Sequence, residues 1–373
     1  MKHNLMNHRT LLATLCATLI LALATGCAGC NISPAQDKAP AGGDTIAIMT
    51  WNIQTLFDGV DEGTEYDDYR ESAGWTVEKY RGRLTIIAGA IGALERKPDI
   101  IAVQEVESAQ VVADLAAALG GGGSAQGFWT HFATIEGMSL GVGLLSRLPL
   151  EGARAHSVYV DGEIAPRPML EARVDTGNGP LALFVCHWKS KLGGDDATEG
   201  ARRASARIIV RRLREMAEHE PDLPAIVMGD LNENHDEFYR RSGTVISALL
   251  PDDPRAAAMA GDLAERQADY IVVSKSKPPQ ARYFPAQAVT LYSPWAVELE
   301  DGSYYYRNEW ETIDHFLLSP QLFDGTGWDF ANCAVINHPP YANASGRPTA
   351  YNPRTGGGLS DHLPLMLFLE RRE

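Results

Sequence analysis

Long apolar runs are nearly missing from this chain of 373 residues. The one that stands out runs from Leu11 to Ala24. It is too short to cross a bilayer, which takes roughly 20 apolar residues. A basic excess is missing too: the formal net charge is −15. That balance does not advertise the positive face typical of nucleic-acid binders, although a cation-filled cleft would offset local carboxylates and keep that class open. Cysteine is scarce, at five residues. Cys16 lies inside the apolar run and Cys27 just after it, leaving Cys30, Cys186 and Cys333. No Cys-x-x-Cys pair or His-Cys cluster falls in the folded part, which argues against a zinc knuckle. A single disulfide is compatible with an exported chain, but no pairing follows from the sequence. There is no internal repeat. No glycine-rich loop follows the first strand, which argues against a doubly wound sheet with a phosphate loop.

What is present starts with a leader. Lys2 and Arg9, with His3 and His8 between them, precede the apolar run, which ends at Thr25-Gly26-Cys27. Residues 1–26 read as an export signal. Gly26-Cys27 resembles the end of a bacterial lipobox, although Ala24 stands where leucine is more usual and Leu23 comes one place early. The expectation is an acylated Cys27 on a flexible tether over residues 27–43, rich in Ala, Pro, Gly and Asp, and so an exported, membrane-anchored lipoprotein. Plain cleavage to a soluble protein is the alternative.

Residues 44–373 form the folded part. The 45% hydrophobic content is ordinary for a globular chain with a sizeable core. Strands are expected at Thr45–Trp51, Ile100–Gln104, Gly141–Ser146, Met169–Val174, Leu181–Cys186, Ala225–Met228, Tyr270–Val273, Phe316–Leu318 and Leu363–Leu369. Helical spacing of Leu84, Ile87, Ala88, Ile91 and Leu94 predicts a helix over Val77–Glu95, stopped by Pro98. Further helices fit Ala109–Leu119, ended by a turn at Gly120–Gly123, and Ala201–His219. Many short strands with helices between them suggest an α+β sandwich of two packed sheets flanked by helices.

The functional signal lies in the polar residues at strand ends. Asn52, Glu105, His187, Asp230 and Asn232 follow apolar runs, Asp314 precedes one, and so do Asp361 and His362. Each alone reads as a turn residue or cap. Together they make a hard-oxygen rim suited to Mg²⁺ or Mn²⁺, with Ca²⁺ also compatible, and histidines for acid–base work.

The segments Met49-Thr50-Trp51-Asn52, Val103-Gln104-Glu105-Val106, His187-Trp188-Lys189-Ser190-Lys191, Gly229-Asp230-Leu231-Asn232, Ile313-Asp314-His315 and Leu359-Ser360-Asp361-His362-Leu363-Pro364 resemble, in order, the motifs of the endonuclease/exonuclease/phosphatase superfamily. That superfamily includes deoxyribonuclease I, exonuclease III-like repair enzymes, neutral sphingomyelinases and inositol polyphosphate 5-phosphatases. The resemblance implies a deoxyribonuclease I-like, four-layered α/β sandwich, with two central mixed sheets flanked by helices. It implies Glu105 as the main metal ligand, with Asn52 and Asp361 supporting the metal and its waters. Asp230 would orient or deprotonate the attacking water, and Asn232 and His187 would bind phosphate oxygens. His362, paired with Asp314, would contact the phosphate and move a proton. Glu233 stands where many relatives carry a shorter residue, with little effect expected.

The choice of ester stays open. His187-Trp188-Lys189-Ser190-Lys191 and the aromatic segment Gly302-Ser303-Tyr304-Tyr305-Tyr306, leading to Trp310-Glu311-Thr312-Ile313-Asp314, resemble bacterial extracellular nucleases, which favours a surface nuclease acting on DNA or RNA. The tyrosines could stack on bases or pack a sheet edge. A sphingomyelinase or inositol-phosphate enzyme is the alternative, and a non-enzymatic surface protein on the same scaffold a distant one. Lys189, Lys191, Arg202 and Arg203 form a basic run that could steer phosphate. Arg167 could reach a phosphate or serve a structural ion pair. No protein partner is implied, and a monomer is expected.

Overall fold

Alternation of side chains along the strands sorts the apolar residues into separate cores. Thr45–Leu56 sends Ile46 and Ile48 to one face and Ala47 and Met49 to the other. The computed structural model describes residues 43–120, 127–165, 167–261 and 268–373. The leader, Cys27, the tether as far as Gly42, Gly121–Gly123 and Pro166 lie outside the described residues.

In chain order the first half holds β1 (Thr45–Leu56), α1 (Val77–Gly92), β2 (Ile100–Val106), α2 (Ala109–Gly120), β3 (Trp129–Ala133), β4 (Gly141–Ser146) and β5 (Leu150–His156). A small hairpin of β6 (Tyr159–Val160) and β7 (Glu163–Ile164) leads to β8 (Met169–Asp175), β9 (Pro180–His187) and α3 (Asp195–His219). Then come β10 (Ala225–Asp230), α4 (Glu237–Arg240), β11 (Leu249–Pro251), α5 (Pro254–Ala260), β12 (Ile271–Ser274) and β13 (Thr290–Tyr292). A second hairpin, β14 (Tyr304–Tyr306) and β15 (Glu309–Glu311), precedes β16 (Asp314–Leu318), β17 (Gly327–Val335) and β18 (Leu365–Arg372).

Two mixed sheets result. One runs β17-β18-β1-β2-β4-β3, the other β11-β12-β13-β16-β10-β9-β8-β5. Their facing sides share a core that includes Ile48, Leu144, Val185, Met228 and Leu367. Ile87, Ile91 and Val112 of α1 and α2 pack with Met49, Trp51 and Met366 of the first sheet. Ile209 and Val210 of α3 pack with Phe184 and Val227 of the second. The order helix, sheet, sheet, helix is the four-layered α+β sandwich.

Local chemistry explains the element limits. Thr76 caps α1 by accepting from the Lys79 amide. Helix α3 begins six residues before the expected Ala201. Gly193 and Gly194, both at positive φ, turn the chain into it, and Asp195 and Asp196 fill its electropositive first turn. Parallel pairing of β1 with β2 and of β9 with β10, and antiparallel pairing with β18 and β16, bring all the polar strand ends to one rim.

Candidate active site

Strand β10 passes tightly against β9. Gly229 has φ +129°, and a Cβ there would lie 2.0 Å from the Cys186 carbonyl oxygen, so only glycine fits. The next residue, Asp230, sits in register with His187 on one side and Asp314 on the other. Glu105 occupies an irregularity in the pairing of β2 with β4 and has φ 64°. A left-handed non-glycine residue costs roughly 1–2 kcal/mol. Here it turns the carboxylate inward, where the Thr55 amide donates to it at 3.0 Å. Asn52 accepts from the Gln54 amide at 3.0 Å and donates its own NH₂ to Asp230 at 3.0 Å and Glu105 at 3.3 Å. The turn before β18 is pinned to β1: Ser360 donates to the Asn52 carbonyl at 2.7 Å, and Trp51 to that of His362 at 3.0 Å.

The structure therefore brings Asn52, Glu105, His187, Asp230, Asp314, Asp361 and His362 together. His362 Nδ1 lies 2.8 Å from Asp314 and its Nε2 3.9 Å from Asp230. Burial pulls this imidazole down, but Asp314, Asp361 and Asp230 outweigh it and hold the pKa well above the ordinary histidine value. His187 behaves oppositely. Its Nε2 lies 3.4 Å from Asp230, yet burial, reinforced by Arg167 and His362, drives it well below that value and keeps it neutral. One cationic and one neutral histidine thus share the rim. Burial pushes Asp230 up to about 7, against the pull of His362. Burial also raises the Asp361 carboxyl, reinforced by Glu105.

These residues fit a hard divalent cation. Four carboxylates, Glu105, Asp230, Asp314 and Asp361, act on one another here against the cations His362 and Arg167. That surplus of buried negative charge is what a bound cation relieves. Asp230, Asp314 and His362 offer ligand atoms within 4.8 Å of one another, but His362 Nδ1 and Asp314 Oδ2 already bond each other. One Asp314 oxygen has no protein partner, and the oxygens of Glu105 and Asp230 each accept a hydrogen bond from Asn52, Thr55 or Asn232 that leaves them a second lone pair for a cation. The Asn52 amide oxygen is taken by Gln54, so Asn52 meets the acids as a donor.

Other expected residues have mixed placements. Asn232, at φ 49°, donates to the Trp188 carbonyl at 3.2 Å. Arg167 donates to the same carbonyl at 3.2 Å and acts on both His187 and Asp230, which places it beside the site. Lys189 turns to the Ser190 and Leu192 carbonyls. Lys191 is bound to Glu237 at 2.6 Å. The basic run is not a solvated cluster. Arg202 is fully buried between Glu199 and Glu233, and Arg203 is paired with Asp269 at 2.8 Å. Cys186 and Cys333 are free and buried, so neither is in a disulfide.

Three contributors had no strand-end signal. Ser303, buried in a loop, donates to Asp314 at 2.6 Å. Gln54 ties Asp361 and Tyr351 to β1. Tyr304 lays its ring against His362 with centroids 4.6 Å apart. The aromatic segment that includes Tyr304 was noticeable, but its partner was not.

The model of the Endonuclease/Exonuclease/phosphatase family matches residues 49–362. Among solved structures, truncated TDP2 of Caenorhabditis elegans superposes with a TM-score of 0.51 at 13% identity, over 88% of this chain and 99% of that one. TDP2 of D. rerio, complexed with single strand DNA product, gives 0.50 at 13% identity, over 88% and 100%. An endonuclease/exonuclease/phosphatase family protein from Bacteroides thetaiotaomicron gives 0.48 at 16%, over 88% and 95%. At these identities the two TDP2 likenesses show the fold. No curated protein matches the chain.

Proposed function

The chain belongs to the endonuclease/exonuclease/phosphatase family and is a phosphoesterase of that fold, and on this premise we propose that it is a divalent-metal-dependent phosphodiesterase that degrades external nucleic acid from a lipid anchor. The observation that carries the reading is Asp230. It is a buried carboxylate with a raised pKa, within 4 Å of a neutral and a cationic histidine and joined to the rim acids through Asn52. A general base works best with a pKa near the working pH, and this one is pushed there.

Glu105 and Asp361 would hold Mg²⁺ or Mn²⁺, with Asn52 fixing Glu105. The cation would supply charge neutralisation on the phosphate and the leaving oxygen. Asp230 takes a proton from water as the water oxygen forms its bond to phosphorus. The bond from phosphorus to the leaving oxygen breaks, and that oxygen takes a proton from solvent. His362, held cationic by Asp314, stabilises charge growing on a non-bridging oxygen. Asn232 and His187 donate to the phosphate oxygens, and Arg167 adds positive charge beside them. The D. rerio TDP2 complex with single strand DNA product supports nucleic acid as the diester. No helix of the described residues is long and apolar enough to cross a membrane; the anchor proposed is an acylated Cys27.

The test is purified protein with Mg²⁺ or Mn²⁺ against DNA, RNA, sphingomyelin and inositol phosphates side by side. Nucleic acid should be cleaved, with EDTA abolishing the activity and either metal restoring it. Metal-independent turnover, or turnover of sphingomyelin or inositol phosphates alone, would reject the reading. Cys27→Ser should move the protein out of the membrane fraction; if it stays after carbonate washing, the anchor lies elsewhere.

A further inference from the structure

A cavity of about 850 Å³ opens directly from Asn232 and Ile313, between the loop after β9 and the β14–β15 hairpin. That is ample for one small planar ligand. Its wall includes Tyr304, Tyr306 and Arg307, which continue a ladder of flat groups outward from His362. The His362 and Tyr304 ring centroids are 4.6 Å apart at 31°, and the Tyr304 and Tyr306 centroids are 6.0 Å apart at 21°. The Arg307 guanidinium lies over Tyr306, 5.0 Å from its centroid. Tyr306 remains 46% exposed.

The hairpin holds this ring in place before any ligand arrives. Its turn uses Arg307 and Asn308, both at positive φ, the geometry of a tight two-residue connection. At its base Ser303 donates to the Glu311 carbonyl at 3.0 Å and Leu363 to the Ser303 carbonyl at 2.7 Å. Behind it Tyr305 packs edge-on against Trp310.

The cavity's charges choose among occupants. Lys191 is neutralised by Glu237 at 2.6 Å, Arg240 by Asp236 at 2.6 Å, and Arg241 by Asp196 and Glu199. The balance does not favour a second phosphate. A lipid chain would strip water from Lys191, Glu237 and Glu311 without returning a hydrogen bond. A flat, neutral group with donors and acceptors on its edge and a π face suits both the ring and the polar wall. We infer that this cavity is the subsite for the nucleobase flanking the scissile phosphate, with Tyr306 as its stacking platform. The inference rests on the phosphodiesterase reading and narrows it to nucleoside diesters.

The experiment uses short oligonucleotides with one cleavable linkage, either intact or with the base removed on one side or the other of that linkage. Wild-type enzyme should prefer the intact substrate over one of the two base-free versions by at least about fivefold in kcat/KM, the low end of a base–aromatic stack. Tyr306→Ala should bring that ratio close to one, and Tyr306→Phe, which keeps the ring, should preserve it. A ratio unchanged in Tyr306→Ala, or no preference in wild type, overturns the subsite while leaving the phosphodiesterase reading intact. Binding of the intact oligonucleotide in Ca²⁺, measured by anisotropy, separates the two claims. If base-dependent, Tyr306-dependent binding appears without turnover of any diester, the subsite stands and the catalytic reading falls.

Discussion

Two buried clusters of acid and base flank the end of β10, and they differ in how they are closed. In one, Arg202 spends all five donors. They go to Glu233 at 2.5 Å, Glu199 at 2.7 Å, the Thr198 hydroxyl at 2.9 Å, and the Asp195 and Lys189 carbonyls at 3.1 and 3.3 Å. Both carboxylates also accept from the Ala248 amide, at 2.9 and 3.2 Å. Nothing in that cluster is left to bind a ligand. In the other, one Asp314 oxygen has no protein partner, and Asp230 titrates near neutrality. Each cluster holds one acid from or just after the end of β10, Asp230 in the site and Glu233 in the closed cluster, only three positions apart in sequence. Closure by hydrogen bonds marks scaffold, and a buried acid oxygen left without a protein partner marks a site.

The comparison predicts opposite responses to substitution. The largest effect belongs to the closed cluster. Arg202→Met strands Glu199 and Glu233 in the interior and should cost about 3–5 kcal/mol, read from urea denaturation. Adding Glu199→Gln and Glu233→Gln to that variant should recover part of the loss. A cost under about 1 kcal/mol would erase the distinction. Next come the rim variants. Asp230→Asn, Asp314→Asn and His362→Ala should each lower diester turnover at least about a hundredfold. The double variant of Asp230 and Asp314 should lose far less than the product of the single losses, because both serve one transition state.

Proton linkage gives a subtler contrast. The folded Asp230 titrates at about 7, against about 3.9 in an unfolded chain. Between these values the folded state binds the extra proton, so this group makes stability fall as pH rises from about 4 to about 7. In metal-free buffer Asp230→Asn should therefore gain stability relative to wild type at pH 8 and not at pH 4. Wild-type activity should rise as Asp230 ionises, at a pH below the metal-free value of about 7 because the bound cation favours the carboxylate. It should decline at higher pH as His362, whose pKa lies well above its ordinary value, loses its proton. A flat pH profile across that range would contradict both assignments.

Much of this was legible because polar residues closing apolar runs are conspicuous: Asn52, Glu105, His187, Asp230 and Asp314 all stand out that way. The strands that were missed lack that contrast. Leu150–His156 is an exposed edge strand with no apolar alternation, and Gly327–Val335 mixes Asp, Asn and Cys on another edge. Arg202 was misread because a run of basic residues on a helix looks solvated. Its carboxylate partner Glu233 is 31 residues away, and only the packing of α3 against β10 brings them together. Ser303 and Gln54 were silent for a related reason, since each acts through hydrogen bonds to residues distant in sequence.

The surplus of acid at the rim is the central claim, and metal titration tests it most directly. Apo protein should bind Mn²⁺ saturably and gain stability by mass action, about 2.7 kcal/mol at a hundred times the dissociation constant. Glu105→Gln keeps the shape and removes one anionic ligand, so its titration should shift to higher Mn²⁺ and its activity should fall with it. An Mn²⁺ titration in Glu105→Gln that overlays that of wild type would contradict the account.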